Sequence, residues 1–228
     1  MNENDLKKVN VAQVAAELDE PFAMINVAAV EDLLVSLYRC EGALTWHKHV
    51  DIDELFWVQE GAMLLESAWG RVRLRPGEMA VVPKGVDHRS SSTLSATVLL
   101  LRCGVAPDRK NGHRRLYTVA GTDQLRRFSL ERTIRQVRSP HQFETVVAVE
   151  ESAVEVGWGE GTWPVEVPAP HDLLFLVTVG AAIVRTPEQT LRLQPGDLTV
   201  VPGGTIYQFS TTRGTTAVRV SRERTPGP

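Results

Sequence analysis

The chain has 228 residues, 43% of them hydrophobic, and its 25 basic and 28 acidic side chains leave a net charge of -3 and a pI near 6.1. That balance offers no electrostatic attraction to a phosphate backbone or an anionic membrane, so neither nucleic acid nor membrane is an expected partner. No run of about 18 apolar residues occurs, Met1–Lys8 carries no apolar leader core, and Cys40 and Cys103 fit no Cys-x-x-Cys pattern, which together predict a reduced, cytoplasmic protein with two buried thiols.

In chain order, residues 12–18 are predicted to form a short helix, after which short β-branched runs alternate with Gly, Pro and Asp. Leu33–Cys40, Glu54–Gln59, Ala62–Ala68, Arg71–Leu74, Met79–Val82 and Thr97–Arg102 each have the length and composition of a strand. From Gly104 to about Leu125 turn formers and charges predominate, which reads as a linker. Strand-like runs resume at Thr145–Val149, Ala153–Val156, Leu173–Val179, Ala182–Thr186, Thr190–Leu193, Leu198–Val201 and Ala217–Val220, and the tail from Glu223 is expected to be loose. Regular short strands of this kind predict an all-β antiparallel sandwich or barrel.

Two of these stretches are copies of one another. Arg73-Leu-Arg-Pro-Gly-Glu-Met-Ala-Val-Val-Pro-Lys-Gly-Val-Asp-His88 matches Arg192-Leu-Gln-Pro-Gly-Asp-Leu-Thr-Val-Val-Pro-Gly-Gly-Thr-Ile-Tyr207, 119 positions on. The same offset aligns Asp53-Glu-Leu-Phe with Asp172-Leu-Leu-Phe, and Gly42 with Gly161. A duplicated unit of roughly 100 residues follows. Residues kept in both copies read as scaffold, and those changed read as chemistry: His47, His49, Glu54 and His88 are replaced by Glu166, Pro168, Leu173 and Tyr207.

The four changed positions form a ligand pattern. His47 and His49, two apart on an extended strand, face the same way. Glu54 is in phase with Phe56 and Val58, and His88 follows a Pro83-Lys-Gly85 turn that returns the chain toward the first strand. Three imidazoles and a carboxylate suit one divalent ion per chain (iron, manganese, nickel, cobalt or zinc) and leave positions open for water or substrate. The second copy keeps only Glu166, too little to hold an ion, so it reads as a structural half or an apolar ligand pocket.

With these motifs the chain resembles the cupin superfamily. The family's first motif is met by Gly42, His47, His49, Glu54 and Gly61, with the first gap one residue short; the second is met by Gly77, Pro83, Gly85 and His88, with Ser92 where the family has Asn. The resemblance covers both halves and implies a bicupin of two tandem antiparallel β-barrels of jelly-roll type. The first is similar to small phosphomannose-isomerase-like (RmlC-like) cupins. It implies an arm at 1–22, a metal-binding barrel at 23–104, a linker at 105–125, a degenerate barrel at 126–222 and a tail at 223–228.

Two functional classes follow from the resemblance. The first is a metal-dependent enzyme of dioxygenase or isomerase type acting on a small oxygen-bearing molecule, with Glu54 as ligand or proton acceptor. The second is a non-catalytic small-ligand binding or sensing protein with a structural metal. Phe56 and Trp46 are the substrate-binding candidates. Trp57, on the opposite face, is expected to cover the other sheet or a subunit interface, and with Trp69 it motivates a homodimer. Asp51 and Asp53 are weighed as acceptors for imidazole N–H groups against a solvated loop; Arg71, Arg73 and Arg75 read as an exposed face, and His141 and His171 as surface residues. Gly157-Trp-Gly-Glu-Gly161 lacks the lysine and helix of a phosphate loop.

Overall fold

The computed structural model describes residues 6–104 and 124–222. Most of the linker expected at 105–125, with its His113-Arg-Arg115, lies outside the described residues, as do the tail and the first five residues.

The amino-terminal half contains β1 (Val9–Asn10), α1 (Val11–Ala16), β2 (Met24–Val30), β3 (Leu33–Ala43), β4 (Glu54–Gly61), β5 (Met63–Ser67), β6 (Gly70–Leu74), β7 (Glu78–Val82) and β8 (His88–Cys103). After the linker come β9 (Phe128–Ser129), α2 (Leu130–Ile134), β10 (Gln142–Val149), β11 (Ser152–Thr162), β12 (Leu173–Val179), β13 (Ala182–Arg185), β14 (Thr190–Leu193), β15 (Asp197–Val201) and β16 (Gln208–Arg222). These build two eight-stranded sheets, all pairs antiparallel. One runs β2-β3-β8-β4-β7-β9, with β5 on β8 and β6 on β5; the other runs β1-β15-β12-β16-β11-β10, with β13 on β16 and β14 on β13. The fold is all-β, as the sequence predicts.

The two orders are the same once the copies are superimposed, with one exchange. β1 pairs with β15 of the carboxy-terminal half, and β9 pairs with β7 of the amino-terminal half. Each half therefore lends its first strand to the other sheet. The helices that follow are capped in matching fashion, Asn10 accepting from the Gln13 N–H at 3.1 Å and Ser129 from the Arg132 N–H at 3.3 Å. Leu6 is buried among the interior residues of the second half, and Leu125 among those of the first.

Alternation along the strands sorts apolar residues into three cores. On β4, Phe56 and Val58 face the interior of the first half together with Tyr38, Leu65, Val98 and Leu100. Leu55 and Trp57 face the other way, into a core shared with Val154, Val156, Leu174, Leu176, Val218 and Val220 of the second half. Burial on both faces is why β4 and β12 read as almost continuous apolar runs. Trp57, 2% exposed, thus covers the other sheet within the same chain, and it no longer supports an intersubunit face. Trp69 packs, partly buried, against the first-half interior.

Gly61 and its counterpart Gly180 show what the duplication preserves. Both have positive φ, 75° and 78°, and a Cβ at Gly61 would collide with the Ser95 carbonyl oxygen where β4 and β8 shift register.

Candidate metal centre

The Pro83–Gly85 turn folds as the sequence predicts. The Gly85 N–H donates to the His49 carbonyl at 2.6 Å, and His47 and His88 exchange both backbone hydrogen bonds, 3.0 and 2.8 Å. His47 and His49 do not lie on a strand as expected: this pairing is an isolated bridge, and it sets the irregular His47–His49 segment, between β3 and β4, against the start of β8. The imidazole centroids of His47 and His88 come to 4.4 Å and those of His47 and His49 to 5.2 Å. Glu54, first residue of β4, enters from the opposite strand. One ligand atom from each of His47, His49, Glu54 and His88 lies within 4.8 Å of all the others. Donors about 2.0–2.2 Å from a shared ion stand at most about 4 Å apart, so movements of a few tenths of an ångström would close the set on a divalent cation.

Outer contacts prepare the rings for that role. Nδ1 of His47 lies 2.9 Å from the Thr45 carbonyl, and Nδ1 of His88 lies 2.9 Å from the Val86 carbonyl. A carbonyl only accepts, so both rings carry hydrogen on Nδ1 and present Nε2 toward the cluster. Glu54 Oε2 accepts from His88 Nε2 at 2.9 Å, while its Oε1 lies 3.4 Å from both His49 Nε2 and Arg102 Nη1.

Burial sets the charges. Glu54 is 2% exposed and His88 1%. For Glu54 desolvation favours the neutral acid, but the His88 hydrogen bond and the charges of His49, His88 and Arg102 prevail and hold its pKa below the usual 4.5. For His88 desolvation disfavours the charge, and the Glu54 hydrogen bond, the Val86 carbonyl and the Glu54 and Asp87 charges overcome it, raising the pKa above 6.5. His49 moves the other way: burial lowers it, the Glu54 charge opposes, and His47, His88 and Arg102 add to the lowering. The metal-free cluster is thus built around one imidazolium–carboxylate pair, whose proton an ion would replace.

The remaining expected residues divide. Phe56 is 4% exposed and meets His88 edge-on at 5.9 Å, a wall beneath the ligands. Trp46 is 50% exposed, with the Arg89 guanidinium 5.2 Å above its ring; Arg89 alternates away from His88 and pairs with Glu66 at 2.7 Å, which sets the Trp46 ring on the outer face of the sheet and not over the ligands. Asp53 is not an imidazole acceptor: its Oδ1 takes the Lys84 N–H at 2.8 Å and so clamps the Pro83 turn. Its counterpart Asp172 accepts from Gly203 in the same way, at 2.9 Å. A residue kept in both copies is scaffold by the rule that the repeat itself supplies. Arg71, Arg73 and Arg75 are exposed, as expected. His141 is half-buried rather than freely solvated; it packs edge-on to Trp163 at 5.4 Å, with Nε2 2.7 Å from the Glu160 carbonyl. Cys40 and Cys103 are free buried thiols, both pushed up to about 11, chiefly by burial.

In the second half the corresponding space is filled by rings. Phe175 and Phe209 stack at 4.4 Å, Trp163 meets Phe209 at 5.4 Å, and Tyr207, which stands where His88 does, lies 6.1 Å from Phe175. Burial pushes the Tyr207 hydroxyl up to about 12. Aromatic packing thus occupies the place of the ligand cluster, and Glu166 is exposed.

One site residue escaped the sequence reading. Arg102 follows Val98 and Leu100 on the inward face of β8 and reaches Glu54. The signal was present in the repeat, whose second copy has Ser221 at the matching position.

An all-β fold of two matching sheets with a His3Glu cluster in one of them defines a cupin-like architecture with a candidate metal site. Comparison with known proteins agrees: residues 145–228 match the family model described as Cupin. The uncharacterized protein YdbB of Bacillus subtilis is 34% identical over 87 residues, which are 38% of this chain and 77% of that protein. This chain belongs to the cupin superfamily. Among solved structures, the cupin 2 conserved barrel domain protein of Leptotrichia buccalis superimposes with a TM-score of 0.71 at 9% identity, over 95% of this chain and 96% of its own. Salicylate 1,2-dioxygenase of Pseudaminobacter salicylatoxidans does so with a TM-score of 0.71 at 13% identity, over 96% and 84%. At such identities the likeness is one of fold. No helix among the described residues is long and apolar enough to cross a membrane.

Proposed function

We propose that this protein is a bicupin enzyme that acts on a small oxygen-bearing molecule, by dioxygenase- or isomerase-type chemistry, at a single divalent transition metal held by His47, His49, Glu54 and His88. The amino-terminal barrel, RmlC-like in its motifs, carries the site; the carboxy-terminal barrel is a degenerate structural partner. The observation that carries this reading is the convergence of four ligand atoms within 4.8 Å, two of the imidazoles tied through Nδ1 to backbone carbonyls. The ion would supply polarisation of a substrate oxygen or, if it is iron(II), dioxygen activation.

The side chains around it have distinct parts to play. His49, 32% exposed in its side chain, marks the open approach to the cluster, whereas Phe56 closes the deep side against water. Glu54 serves as ligand and, where it loosens, as proton acceptor.

Elemental analysis of untagged protein should find one equivalent of transition metal per chain, reduced at least tenfold in His49→Ala plus His88→Ala. Oxygen-uptake screening with catechols, diketones and thiols then separates the chemistries. Two tightly held equivalents, or full occupancy in the double variant, would refute the site; metal-loaded protein inert to every oxidisable substrate would favour isomerase chemistry or simple ligand binding.

A further inference from the structure

We propose that Arg102 is the anchor for a carboxylate, and that the amino-terminal site takes small carboxylic acids bearing an adjacent oxygen. The inference rests on the metal reading above and names the substrate class for that site.

Its first support is position. Arg102 is 29% exposed in its side chain, while Glu54 and His88 beside it are 3% and 2%, so the guanidinium stands between solvent and the ligands. Strand alternation aims it inward, in line with Val98 and Leu100 of the interior core.

Its second support is incomplete partnership. Nη1 lies 3.4 Å from Glu54 Oε1 and Nη2 lies 3.7 Å from Met24 Sδ. A guanidinium fork well matched to a carboxylate makes two parallel bonds of about 2.7–2.9 Å. Glu54 does not supply that geometry, because Oε2 is turned to His88 and Oε1 is shared with His49.

Charge balance is the third. Three neutral imidazoles and one carboxylate leave a divalent ion with one net positive charge, and the guanidinium beside the same carboxylate adds a second. Two like charges in a partly dehydrated site are unfavourable until an anion joins them. A carboxylate on Arg102 supplies the compensation, and a neighbouring hydroxyl or oxo group on the same small molecule can address the ion.

The internal copy supplies the control. Ser221 replaces Arg102 in the half without ligands, where it donates to Glu155 at 3.2 Å. The cation nearby, Arg219, is already engaged: its Nε is 2.7 Å from Glu155 Oε2, and its guanidinium lies 4.3 Å above the Phe143 ring. An inward guanidinium with an unfilled fork thus accompanies the ligand cluster and is replaced where the cluster is lost.

The test uses full-length protein loaded with cobalt(II), titrated with lactate and with its neutral amide, lactamide, and followed by the visible cobalt spectrum and by calorimetry. Wild type should bind lactate about 10-fold or more tightly than lactamide, the worth of a charge-assisted pair. Arg102→Gln should keep one cobalt per chain and weaken lactate by about the same factor while leaving lactamide within about 3-fold; Arg102→Lys should recover part of the loss. Equal affinity of wild type for lactate and lactamide, or unchanged lactate affinity in cobalt-loaded Arg102→Gln, overturns the inference and leaves the metal site standing. Wild type that takes up no cobalt overturns the metal reading instead, and this inference with it. The lactate-to-lactamide ratio in wild type needs no variant, so a misfolded Arg102 variant does not rescue the idea.

Discussion

Metal uptake should expel a proton that belongs to His88, and replacing Glu54 by glutamine should reduce that release. His88 Nδ1 faces the Val86 carbonyl at 2.9 Å and must carry hydrogen; Nε2 faces Glu54 Oε2 at 2.9 Å and carries a second while the carboxylate is charged. An ion claiming Nε2 has to displace that second proton. At pH 6.5 a histidine whose pKa is raised above 6.5 is more than half protonated, so His88 contributes between about half and one proton per ion. In Glu54→Gln the Glu54 hydrogen bond and charge that raise His88 are gone, leaving burial opposed only by the Val86 carbonyl and the Asp87 charge, so its share should fall. Calorimetric titration of zinc at pH 6.5, in two buffers of different ionisation enthalpy, measures the number directly. The wild type should release more protons than the variant, by up to about one from His88, with a smaller contribution in the same direction from His49, which the Glu54 charge also raises. Losing an anionic ligand should also weaken zinc by about 100-fold, about 2.7 kcal/mol. Equal proton release by the two proteins would refute the imidazolium–carboxylate description of the metal-free cluster.

The same pair predicts a pH window for stability without metal. His88, its pKa raised, contributes fully below about 6.5 and loses its contribution as pH rises through its folded value, whereas Glu54, its pKa lowered, contributes above about 4.5 and fails as pH falls through its own. The stability gap between wild type and His88→Gln, about 3 kcal/mol for a buried pair broken on one side, should therefore narrow on both flanks in urea titrations; a gap that widens above pH 8 contradicts it. Trp57→Ala should cost about 3–5 kcal/mol in chemical denaturation, because the ring is 2% exposed in the core shared by both halves; a loss under 1 kcal/mol would remove Trp57 from that role. Tyr207→Phe and Glu166→Gln should leave metal content at one equivalent, and a drop in either would mean that the second half contributes ligands.

Much of this was legible because the chain carries its own comparison. The pairs His47/Glu166, His49/Pro168, Glu54/Leu173 and His88/Tyr207 marked the cluster, and alternation on β4 placed Phe56 with Glu54 and turned Trp57 away, leaving the other sheet and a subunit interface both open until the shared core decided for the former. Asp53/Asp172 and Arg102/Ser221 held equally good information, about a turn clamp and a charged rim. Each needed the location of Lys84 or Glu54 to be interpreted. What stayed hidden was non-local. Met24–Val30 reads weakly because its side chains are largely exposed, and β8 and β16 run back through Ser90-Ser-Ser-Thr93 and Ser210-Thr-Thr212, polar stretches whose strand character comes from partners far along the chain. The exchange of β1 and β9 left no mark in the sequence, since two residues are too few to show a strand period, and Val9–Asn10 and Phe128–Ser129 become strands only where an edge awaits them.

That exchange couples the thermodynamic fates of the halves. Opening the first sheet frees β7 from β9 and uncovers the arm that carries Leu125, while opening the second strips β1 from β15 and unseats Leu6. Neither half can fray without taking an edge strand from the other. Ligand binding in the first half therefore draws the second under the same protection. Amide hydrogens on β12 and β15, remote from the ligand cluster in sequence, should exchange more slowly when zinc is added. The half that gave up its ligands would still be held closed by an ion it does not touch.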